Sequence, residues 1–122
     1  MLLVAYLHSF FIIGVIGFQI ALILGAPWGR ITQGGQHEGA LPMKGRLAAA
    51  SSVVLLIVMA LAVLSTAGVW PAWPRWSGWA ATALMGIIMV LNWATPSAAE
   101  QRLWGPITSV MFVLSLSVML FG

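Results

Sequence analysis

Charged side chains divide this chain, and the stretches between them constrain its fold. Residues 1–29 carry no Asp, Glu, Lys or Arg, and neither do 47–74, 76–99 or 103–122. A helix needs about 20 apolar residues to cross a hydrocarbon layer about 30 Å thick. Inside that layer a helix satisfies every backbone N–H and C=O within its own segment, which an irregular chain cannot. The expected fold class is therefore all-α: an integral membrane bundle of four transmembrane helices with a long polar loop between helices 1 and 2. The expected spans are roughly 2–24, 47–67, 77–94 and 105–121, and residues 1–122 are read as a single polytopic membrane domain.

Composition agrees with the bilayer as solvent. The chain is 61% hydrophobic and 6% charged, whereas soluble domains carry about 25% charged residues. A soluble fold this poor in charge would expose large apolar patches. The net charge of +3 comes from five basic residues against two acidic ones. They are spread between apolar runs and form no dense basic patch, so no nucleic-acid partner is expected. The expected partners are the lipid bilayer and a membrane protein or second copy of the chain. There is no cysteine, so disulfide, thiolate and cysteine-metal chemistry are excluded.

Breakers end each span. Gly25-Ala26-Pro27 closes the first, Gly68 and Pro71 the second and Thr95-Pro96 the third. Pro106 is placed to open the fourth as a first-turn residue. The first run lacks a basic n-region and a small-x-small site, so it reads as a retained helix, not a cleaved signal peptide. Loops 1 and 3 carry Arg30, Lys44, Arg46 and Arg102, while loop 2 carries Arg75 alone. Basic residues collect on the cytoplasmic side. The expectation is a multi-pass protein of the cell inner membrane, with loops 1 and 3 cytoplasmic and both termini outside.

Loop 2 holds Trp70, Trp73, Trp76 and Trp79. Indole rings favour the headgroup region, so an aromatic belt is the simpler reading. An aromatic cage for a cationic or sugar ligand is the sharper one, and Pro71 and Pro74 interrupt the helix it would need.

Polar chemistry gathers at the other end. The stretch 25–46 holds four of the seven charged side chains and His37. Its Gly-Gly pair precedes Gln36-His37-Glu38, a turn that would present His37 and Glu38. Its length and polarity suit a lid more than a spacer. In loop 3, Ser97 and Glu100 have capping-box spacing, so 97–104 reads as a short interfacial helix in which Glu100 satisfies backbone N–H groups. Within the spans, Gln19, Ser51, Ser52, Asn92, Thr108 and Ser109 all fall in the half next to loops 1 and 3. An unpaired amide in hydrocarbon is costly, so these groups should face one another or water. Helical stripes join Thr82, Met85, Met89 and Asn92 on one helix, and Thr108, Met111, Ser115 and Met119 on another. His8 lies near the outer end of span one, on nearly the same face as Gln19, and reads as an interfacial histidine hydrogen-bonded beside Tyr6 and Ser9. No acidic residue falls inside an expected span.

Catalytic signatures are absent. GRITQGG lacks the Gly-Lys-Ser/Thr ending of a P-loop, HEGAL lacks a second histidine for zinc, and no Gly-x-Ser-x-Gly elbow occurs. Two histidines at opposite membrane faces cannot pair across a haem. No cofactor or metal is expected. Three functional readings follow in order. The first is an accessory or assembly subunit, or a small homo-oligomer, in which Gly14 and Gly17 let helices approach closely. The second is a membrane-embedded enzyme or binding protein for a lipid-like or isoprenoid molecule. There Glu38, His37 and Glu100 are the catalytic candidates, Glu38 or Glu100 as acid or base. Gln19, Arg30, Asn92 and Arg102 are the ligand-binding candidates, with Arg30 or Arg102 as an anion clamp. The third is a small transporter or channel.

Overall fold

A computed structural model describes all residues 1–122 and is entirely helical. Its four long helices are α1 (Leu2–Ile23), α2 (Met43–Thr66), α3 (Arg75–Ala94) and α4 (Ala98–Phe121), each long and apolar enough to span a membrane. Only three residues join α3 to α4. So short a link between helices about 30 Å long forces them antiparallel. α1 packs on α2, α3 on α4, and α1 also meets α4, closing a ring in which the α2–α3 seam is looser than those of α1–α2 and α3–α4.

Local chemistry sets the ends. After α1 the chain turns through Gly25 at φ +100°, with Gly25 N–H donating to Leu22 O and Ala26 N–H to Ala21 O. After α2 it repeats the device: Gly68 has φ +89°, and Gly68 and Val69 donate to Ser65 O and Leu64 O. Both are Schellman closures, which satisfy carbonyls the helix leaves unpaired. Pro96 ends α3, because the residue before proline is driven out of helical geometry.

The fourth helix differs from expectation. It starts at Ala98, not at residue 105, and Pro106 lies inside it. Ser97 caps it by accepting from Glu100 N–H at 3.1 Å, and Ala98 to Leu103 are good helix formers throughout. Proline leaves only the Arg102 carbonyl without its helical donor, at a turn where Arg102 is exposed. Glu100 consequently belongs to the first turn of the long apolar helix and not to a separate interfacial one. α2 likewise begins at Met43, so Lys44 and Arg46 sit in its first turn and the connection from α1 shrinks to residues 24–42.

The core runs along the bundle axis through Ala5, Ile12, Leu56, Met59, Val63, Met85, Met111 and Val118. The α4 stripe of Thr108, Met111, Ser115 and Met119 is buried throughout. Ser115 and Thr82 hydroxyls meet across α3–α4 at 2.5 Å, the interhelical use expected of small polar residues. His8 departs from its expected setting. It is 1% exposed, and neither ring nitrogen has a hydrogen-bond partner. Ser9 instead donates to Ala5 O.

Candidate functional site

The 24–42 connection folds back onto the bundle. It makes two short 3-10 turns, Gly29–Ile31 and Gln33–Gly35. Gln33, Gly34 and Gly35 all have positive φ, at 49°, 79° and 69°. Only glycine adopts such backbone freely, which explains the Gly-Gly pair. Gly35 also has no room for a side chain: a Cβ there would stand 2.6 Å from Ser97 Cβ.

Four hydrogen bonds hold residues 30–34 down. Ser97 Oγ donates to Arg30 O at 2.6 Å, and Trp104 Nε1 to Ile31 O at 2.9 Å. Gln33 Nε2 donates to Gly45 O at 2.8 Å, and Gly34 N–H to Glu100 Oε2 at 3.4 Å. Leu41 is buried with Leu22 and Ala49, against which Phe18 and Ile23 also pack. Trp28 stacks on Phe18 with ring centroids 5.7 Å apart, and Phe18 meets Trp104 edge-on at 4.7 Å.

Beneath this cover lies a cavity of ≈ 190 Å³. Its polar lining is Gln19, Thr32, Ser52, Asn92, Glu100 and Thr108, and its apolar floor includes Leu55, Leu56, Met59, Met85 and Met111. Glu100 is buried to 7% exposure. Its Oε1 accepts from the Thr95 hydroxyl while Oε2 accepts from Gly34 N–H, so both oxygens are held from outside its own helix turn. The carboxyl does not reach back to Ser97 N–H, which donates to Thr95 Oγ1 at 3.3 Å. Half of a capping box is formed, and the acidic half serves the cavity.

The sequence candidates separate into three places. Gln19, Asn92 and Glu100 share the cavity. Arg30 and Glu38 line a different, open hollow with Pro27, Trp28 and Ile31. His37 and Arg102 are exposed and line neither. Of the remaining polar groups in the spans, Ser51 faces outward, and Ser109 accepts from Trp93 Nε1 at 2.8 Å. Thr32, Thr95, Phe18 and Trp104 were not distinguished by the sequence. Trp104 looks like an ordinary interface anchor, and no local pattern signals that its indole pins a segment 73 residues away. Neither a family model, nor a curated protein, nor a solved structure matches the chain.

Proposed function

We propose that this chain is a membrane protein that binds a lipid-like molecule at the end of its bundle covered by the 29–35 segment. One observation carries the reading: a single cavity has a polar rim of Gln19, Asn92 and Glu100 and an apolar floor of Leu55, Met59, Met85 and Met111. An amphiphile matches that gradient, with its head at the rim and its chain toward the floor. Glu100 is the one titratable side chain among the 15 lining residues. No second titratable group stands beside it to share acid–base work, so binding is favoured over catalysis. Arg30 and Arg102 stand outside the lining, which leaves an anion clamp without support there.

Orientation completes the proposal. Arg30, Lys44, Arg46 and Arg102 cluster at the cavity end and Arg75 alone at the other, so the cavity opens toward the cytoplasm of an inner-membrane protein. The test is native mass spectrometry of protein extracted gently from its own membrane. A small molecule retained at fixed stoichiometry, and lost on Glu100→Gln, is the expected result. Scattered phospholipid alone, unchanged by the substitution, would remove the reading.

A second reading is a subunit that associates through α1. A Cβ at Gly14 or Gly17 would meet nothing within 4 Å, so their close-packing surface is unused inside this chain. Replacing both with leucine should dissociate a complex seen on blue-native gels, and an unchanged band would end this reading.

A further inference from the structure

Hydrogen bonds around the cavity dictate what a head group there must bring. Ser52 Oγ donates to Ala48 O at 3.0 Å, and Thr108 Oγ1 to Trp104 O at 2.6 Å. Asn92 Nδ2 donates to Ile88 O at 2.8 Å, and the Thr95 hydroxyl donates to Glu100. These protons are directed into the protein's own carbonyl and carboxyl oxygens. What remains for the cavity is mostly lone pairs, on Ser52, Thr108, Asn92 Oδ1 and the Glu100 carboxyl. The free donors are fewer: the Gln19 amide, the Thr32 hydroxyl and the second proton of Asn92 Nδ2. No Lys or Arg lines the cavity. A buried carboxyl among acceptors is best satisfied by a cation that carries several N–H donors.

Size sets the rest of the ligand. A volume of ≈ 190 Å³ is below the 300 Å³ or so of a typical small-molecule pocket, so it accepts a head group and only the start of a chain. Leu55 and Met59 of its floor also wall a second hollow of ≈ 420 Å³ in the loose α2–α3 seam. That groove is apolar, lined further by Val58, Ala62, Trp73 and Leu84, and it opens on the outer face where Leu55 and Val58 are exposed. From Ser52 to Ala62 the α2 axis advances about 15 Å, the reach the chain must span.

We propose that the ligand is a single-chain cationic amphiphile, its protonated amine held at Glu100 and its chain passing between Leu55 and Met59 into the α2–α3 groove. This rests on the amphiphile-binding reading above and names the ligand class it takes.

The experiment uses the full chain in phosphatidylcholine nanodiscs and three probes with a diazirine near the chain end: dodecylammonium, dodecanol and dodecanoate. Labelled peptides are mapped by mass spectrometry against empty-disc and excess-ligand controls. The amine probe should label residues of the α2–α3 groove, and Glu100→Gln should lower that labelling about tenfold. Met59→Trp should block the groove label. Ser52→Lys supplies an internal ammonium and should compete the amine out, with circular dichroism verifying that each variant keeps its helices. Equal or stronger labelling by dodecanol or dodecanoate, insensitive to Glu100→Gln, would overturn the cationic head and leave the amphiphile reading standing. Amine labelling that Ser52→Lys and Glu100→Gln both leave intact would do the same. No competed labelling by any of the three probes would sink both.

Discussion

Glu100 illustrates how a residue acquires its setting from distant chain. Its rarity made it conspicuous, as one of two acidic residues. Its spacing from Ser97 predicted a cap, and its backbone N–H does take that bond. Its carboxyl is instead engaged by Thr95 and by Gly34, which lies 66 residues earlier. Gly35 permits that approach. Gly35→Ala should cost about 1–2 kcal/mol for the left-handed backbone alone, and more from collision with Ser97. The expected outcome is faster hydrogen exchange at Gly34 with helix content intact. Unchanged exchange would mean that the segment docks independently of this contact. His8 offers the opposite case, a buried ring with no partner. An unsatisfied buried polar group is costly, and an apolar replacement of similar size relieves that cost. His8→Leu should therefore raise the thermal midpoint in detergent, by roughly 1 kcal/mol of stability. A lowered midpoint would reveal a partner that the ring holds in the membrane.

At the scale of elements, α4 joins the cover to the bundle. Ser97 does two jobs with one hydroxyl, accepting from Glu100 N–H and donating to Arg30 O. Ser97→Asp separates them. Aspartate caps a helix as well as serine does, but an ionised carboxylate has no proton to give Arg30 O. Helix content should hold while limited proteolysis within residues 29–35 accelerates. Equal protection in the variant would show that the serine bond to Arg30 O contributes nothing to docking. The same helix runs together two stretches that the sequence reads apart, an interfacial helix over 97–104 and a span from 105. Proline at position 106 reads as a beginning, yet a capped and helix-favouring stretch precedes it, so the helix extends upstream and tolerates one missing N–H. Four of the six polar groups singled out in the spans, Gln19, Ser52, Asn92 and Thr108, reach one cavity because they lie at the same depth on inward faces. Ser51 and Ser109 lie at that depth too and point elsewhere, since facing depends on how the helices pack.

For the whole molecule, the proposed orientation is directly checkable because the chain has no native cysteine. Ala40 and Ala72 are exposed in connections at opposite ends. In intact cells a membrane-impermeant maleimide should modify Ala72→Cys and spare Ala40→Cys until the membrane is opened. The reverse pattern would place the cavity on the outer side. The number and class of the helices were determined by sequence alone, through charge-free runs of about 20 residues or more, the length a helix and not a strand needs to cross hydrocarbon. Their glycine and proline stops were also readable, because those residues act through local backbone geometry. The tertiary structure decided the rest: that residues 29–35 fold onto α4, that Glu100 is buried beneath them, and that Arg30, His37, Glu38 and Arg102 stay outside its cavity. Those outcomes depend on contacts between residues more than 60 positions apart. Local propensity has no reach over such distances, and only the packing of the assembled bundle does.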